Sequence, residues 1–198
     1  TICADRAVLV TESYRQTEGM HPAIRQALAF EKVLREMPLW IRDGELIVGN
    51  VASRPNGTNI FPEYDCEWMK SELDTISTRA GDRYILPEED REELAGCFEY
   101  WPGKTLLHLA DAQSPDEAKK AEAIPALHTK FSRVGGLGHL IPDHKRVVRE
   151  GLQEMLREAE EQLSGLDLTD PSDFSKWHFT KAVIIADKAV LAWAGRFA

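Results

Sequence analysis

A chain of 198 residues with 43% hydrophobic side chains can bury a core of its own, as one domain or two small ones. Its 33 acidic against 24 basic residues give a net charge of -9, which argues against nucleic acid and anionic membrane as main partners, since both reward clustered Lys and Arg. There is no apolar run long enough to span a bilayer and no signal-type start, and Cys3, Cys66 and Cys97 are unpatterned, so the expectation is a cytoplasmic protein with reduced thiols.

In chain order, Ile2, Cys3, Ala7, Val10 and Tyr14 recur at helical steps and predict a helix over 2–16, ended by Gly19. A second helix is expected from His21-Pro22 to Met37, stopped by Pro38, and pairs with the first as a hairpin. Glu45 to Asn50 is rich in β-formers between two turn signals and reads as a short strand or extended run. Arg54-Pro-Asn-Gly-Thr58 is turn chemistry leading to Phe61-Pro62-Glu63-Tyr64, where a carboxylate lies between aromatics. Glu63 there is either an acid/base group, if desolvated, or a hydrogen-bonded anchor.

Helices are predicted over 65–73 and from Glu88 to about Glu99, the second carrying Cys97, with an extended stretch at 83–86 between them. Trp101 to Thr105 includes Gly-Lys-Thr, but Phe98 stands where a Walker loop needs glycine, so it reads as a turn whose Trp packs. Ser114 reads as the cap of a charged helix running to Ile124.

The rest of the chain is organised around Phe131 to Gly151, where Gly135, Gly136 and Gly138 free the backbone just before His139. That is a loop built to place an imidazole, either as a functional group or as a hydrogen-bonded core side chain. It is not a dinucleotide fingerprint, because Ile141 replaces the third glycine. His139, Asp143 and His144 could be read as metal ligands, but no further Cys or His pattern supports such a site, and no metal is expected. Asp143 could orient His139 or cap the helix predicted over 143–164 and ended by Gly165. A last helix over 172–197 is apolar nearly all round at 182–186 and 189–193, which predicts burial on more than one side and a covering partner in sequence outside this chain.

Six segments then carry a resemblance in fixed order: TESYRQTEG near the start, PLWIRDGELIVGN at 38–50, IFPEY at 60–64, YWPGKTL at 100–106, GGLGHLIPD at 135–143 and LDLTDP at 166–171. Together they resemble the N-terminal region of the pyruvate formate-lyase-like glycyl radical enzymes. The likeness is greatest to the branch of B12-independent glycerol and diol dehydratases, choline trimethylamine-lyase and hydroxyproline dehydratase. It implies a mainly α chain with a few short strands, the N-terminal part of an α/β barrel, with residues 1–198 one truncated portion of the pyruvate formate-lyase-like domain.

The resemblance implies a lyase that eliminates water from a small diol or hydroxylated compound through radicals passed from glycine to cysteine to substrate. Both of those loops are absent here. Gly96-Cys97-Phe98-Glu99 mimics the catalytic loop but lies far upstream of it, so Cys97 is read as a decoy and no catalytic residue is assigned. His139 matches the family's substrate-contacting histidine, with Asp143 as a possible support. No cofactor is expected on this chain; the radical would be installed by an activating enzyme that uses S-adenosylmethionine and an iron-sulfur cluster. The implied partners are that enzyme, the substrate, the remainder of the polypeptide and, at full length, a second copy in a homodimer. Alternatives are a choline trimethylamine-lyase, a formate acetyltransferase-type member, or a non-catalytic helical binding domain.

Overall fold

The computed structural model describes residues 1–122, 124 and 142–198, which fall into two units. Unit one comprises Thr1–Val8 and Asn56–Ile141, and unit two Leu9–Pro55 and Pro142–Ala198. The described elements are β1 (Ile2–Cys3), α1 (Asp5–Gln16), α2 (Pro22–Glu36), β2 (Thr58–Asn59), α3 (Glu67–Glu72), α4 (Glu88–Phe98), α5 (Leu106–Gln113), α6 (Asp116–Glu122), α7 (His144–Glu150), α8 (Leu152–Ser164) and α9 (Pro171–Gly195). Helices dominate and strands are few and short, as the sequence predicts.

In unit one the first predicted helix begins later than its periodicity suggests, because Ile2–Cys3 is a strand. It pairs in parallel with β2, Ile2 opposite Thr58 and Cys3 opposite Asn59. Partners distant in sequence hold it extended: the Ile2 N–H donates to Ile85 O at 2.8 Å and the Thr58 N–H to Thr1 O at 2.8 Å. The Asp90 carboxylate, 2% exposed, accepts the Ala4 N–H at 2.7 Å. A buried amide must be satisfied somewhere, and here tertiary partners outcompete the helix. Trp101, Phe98, Leu94, Met69 and Ile76 form the core, so the Trp101 turn packs as expected.

Helix α5 was not legible from periodicity. Thr105 caps it, its Oγ1 accepting the His108 N–H at 3.2 Å, and two first-turn amides bond to the preceding motif: Leu106 N–H to Glu63 O at 2.8 Å and Leu107 N–H to Tyr64 O at 3.1 Å. Ser114 closes α5, its hydroxyl donating to Ala110 O at 2.8 Å.

In unit two α9 packs along both α2 and α8, the two-sided burial that its composition predicts. Side chains join α1 to α2 in antiparallel order, Lys32 pairing with Glu12 at 3.3 Å and Arg25 donating to Tyr14 O at 2.8 Å, while the helix packed most extensively along α2 is α9. The helix predicted over 143–164 is broken in two at Gly151, whose φ of 80° lies in a region that favours glycine. Arg146 spans the break, pairing with Glu150 at 2.7 Å and with Glu158 at 2.5 Å. Residues 45–50 form no strand: the Glu45 N–H turns back to Arg42 O at 3.0 Å, and Leu46 and Ile47 face solvent.

Candidate functional site

His139 lies outside the described residues, so the site is built from what flanks it. Asp143 stands at the N-terminus of α7, where its Oδ1 accepts the Arg146 N–H at 3.0 Å. This satisfies one of the orphan amides of a helix start, and the carboxylate's charge suits the positive end of the helix dipole. His144 opens the same helix and is exposed.

Glu63 is engaged by Arg6 from the first turn of α1. Arg6 Nη2 meets Oε1 at 2.5 Å and Nη1 meets Oε2 at 3.3 Å, while Nη1 also donates to Ile60 O at 3.3 Å. The guanidinium lies 3.9 Å from the centre of the Phe61 ring. Both charged side chains are less than a fifth exposed, at 18% and 19%. A two-point, half-dry pair of this kind spends the carboxylate's lone pairs on arginine, so of the two readings of Glu63 the geometry favours the anchor over the acid/base group. Tyr64 beside it has its phenol pushed up by burial and by the Glu63 charge, with Arg6 opposing. The same segment takes the first amides of α5, so Phe61 to Tyr64 is a joint that ties β2, α1 and α5 together.

Cys97 sits on α4 at 5% exposure. Cys66 is fully buried, and burial, with the Glu67 and Asp65 charges added, pushes its thiol up to about 11. A thiol protonated at neutral pH is a poor nucleophile. Among the described residues no group of three or more His, Cys, Asp or Glu side chains could hold a metal ion, and no helix is long and apolar enough to cross a membrane. An open cavity of ≈ 670 Å³ lies where α8 ends against α9, between Leu166, Phe179 and Thr180. Its one charged group, Lys176, is paired with Asp173 at 2.7 Å, so it brings no acid and base together.

Two features carry no periodic signal and escape sequence reasoning. Asp187 of α9 keeps Oδ2 buried with no hydrogen-bond partner among the described residues, and burial pushes its carboxyl up. His21, whose Nδ1 accepts the Ala23 N–H at the start of α2, stacks on His178 of α9 with ring centres 4.1 Å apart.

The pyruvate formate lyase-like family model matches residues 1–198. The chain is 31% identical over 197 residues to the probable dehydratase YbiW of Escherichia coli K12, covering 100% of this chain and 24% of that protein. It is also 31% identical over 202 residues to the (2S)-3-sulfopropanediol dehydratase of Klebsiella oxytoca, again covering 24% of the relative. The glycerol-bound B12-independent glycerol dehydratase of Clostridium butyricum superposes with a TM-score of 0.93 at 36% identity, over 99% of this chain and 25% of that one. The chain thus spans about a quarter of the length of the relatives it matches. With a match from the first residue to the last, the chain belongs to the pyruvate formate lyase-like family.

Proposed function

We propose that this chain is the N-terminal portion of a full-length glycyl radical dehydratase that removes water from a small diol or other hydroxylated compound. What supports the reading most is the similarity to the glycerol-bound glycerol dehydratase, 36% identical with a TM-score of 0.93, together with the Gly-Leu-Gly-His run at 136–139. The radical-bearing glycine and the reacting cysteine belong to segments outside these residues, and the radical, once installed by an S-adenosylmethionine activating enzyme, supplies hydrogen-atom abstraction.

Within this division of labour residues 1–198 supply wall and positioning. His139 lies four positions before Asp143 in sequence, and Asp143 fixes the start of α7. An imidazole at position 139 can hydrogen-bond a substrate hydroxyl and assist proton transfer to the departing OH. Alone, the chain is inactive.

The test is His139→Ala in the full-length protein after radical activation, with radical content measured by electron paramagnetic resonance. The expected result is normal radical yield with turnover lowered about a hundredfold, in the range of a lost general acid/base group. Turnover within a few-fold of wild type would remove His139 from the substrate's surroundings.

A further inference from the structure

Of the two helices separated by Gly151, α8 is the anchored one. It packs along α9, buries Ala159 and is tied across by Glu160 and Lys188 at 2.7 Å. Helix α7 has no such seat: none of its residues is buried, and Val148 is 85% exposed. The joint itself is also loosely held. No side chain caps the start of α8, and a Cβ added at Gly151 would meet nothing within 4 Å, so packing does not fix the backbone there. Glycine leaves both dihedrals of the joint open to values that other residues avoid.

Among the described residues, one ion pair leaves α7 for another element, Arg146 Nη2 to Glu158 Oε2 at 2.5 Å. The same arginine donates through Nε to Glu150 at 2.7 Å, and its amide donates to Asp143 Oδ1 at 3.0 Å. Arg146 thus gathers the start of α7, its end and α8 on one residue. An exposed pair usually contributes little, and these side chains are 35% and 39% exposed. What matters is the lever that it holds. Eight residues separate Gly151 from Asp143, about 12 Å at the helical rise, so a swing of about 20° at the joint carries Asp143 through about 4 Å. His139 is four positions before Asp143, and a span of that length reaches at most about 14 Å whatever its conformation. Moving Asp143 therefore moves the space that the imidazole can reach, and a misplacement of about 1 Å can cost about a hundredfold in rate.

We infer that Arg146 is a positioning residue for His139: by holding α7 to Glu158 of α8 it sets the direction in which α7 leaves Gly151, and so the point from which the chain runs back to the imidazole. The inference rests on the reading of His139 as a substrate contact.

The experiment uses the full-length protein after radical activation, with radical content read by electron paramagnetic resonance and turnover measured on glycerol and propanediol. Arg146→Gln and Glu158→Gln should each keep the radical and lower kcat about tenfold, less than loss of the imidazole itself. Reversing the pair, with Arg146→Glu and Glu158→Arg together, should restore kcat to within about threefold of wild type. A residue that only stabilises the fold would lower turnover in any background. One that acts through His139 has nothing left to position in His139→Ala, so adding Arg146→Gln there should change kcat by less than about twofold. Arg146→Gln with the kcat of wild type overturns the inference, as does a loss of about tenfold that persists in the His139→Ala background. If His139→Ala itself turns over like wild type, the substrate-contact reading falls and takes this inference with it. A slow His139→Ala beside a normal Arg146→Gln removes Arg146 alone and leaves that reading standing.

Discussion

Arg6 and Glu63 show what a motif search cannot reach. The FPEY segment is visible in the sequence, but its partner is 57 positions away, and nothing in the spacing announces that the carboxylate is already taken. Removing one member leaves the other half-buried and unpaired, so Arg6→Ala should destabilise the full-length protein by about 2 kcal/mol, between the values for exposed and for buried pairs. Thermal melts check this, and a change below 0.5 kcal/mol would return Glu63 to the pool of free carboxylates. Asp187 is the opposite case, a charge with no partner among the described residues. Burial raises its carboxyl, so the folded state favours the protonated form. The folded chain carries no penalty from this group below the ordinary carboxylate range and gains one as pH rises through the raised value. Asp187→Asn should leave the full-length protein's Tm unchanged near pH 4 and raise it by about 2 °C at pH 7. A fall at pH 7 would mean that a donor outside residues 1–198 reaches the carboxylate.

At the level of elements, the long amphipathic helices were readable because periodicity, caps and stops agree: α2 begins at Pro22 and α9 spans Pro171–Gly195. What the sequence hid was decided by tertiary bonds or by one backbone angle. Ile2–Cys3 follows a helical pattern yet is held extended by Thr58, Ile85 and Asp90, and α5 depends on carbonyls of Glu63 and Tyr64. Of the candidate site, only its outline was legible: the helix start at Asp143 is described, while His139 itself lies outside the described residues. Gly151 looked like an ordinary helix interior residue. Its φ of 80° with ψ of 160° is a conformation that only glycine takes without strain. Gly151→Ala should therefore cost about 2 kcal/mol in a thermal melt of the full-length protein, instead of the gain expected when alanine replaces glycine inside a helix. Stabilisation would show that α7 and α8 can fuse.

For the molecule as a whole, the decisive property is apolar surface left open. Leu46, Ile47 and Val51 in one loop, Val148 on α7 at 85% and Phe179 on α9 at 69% exposure are large side chains in water, beyond the scatter of single exposed residues normal for a soluble monomer. The two readings of the chain diverge here. If it is a portion of a longer enzyme, residues 1–198 expressed alone should bind the dye anilinonaphthalene sulfonate and self-associate at micromolar concentration, while the full-length protein binds little dye. If it is a self-sufficient binding domain, the same residues should stay monomeric, melt in one cooperative step and leave the dye dark. The charge of -9 sharpens the comparison, because electrostatic repulsion opposes association, so self-association at low salt must be driven by buried apolar area. Replacing Leu46 and Ile47 by Ser in residues 1–198 should then reduce association measurably, and a variant that associates as strongly as the parent would move the sticky surface from the loop tip to α7 or α9.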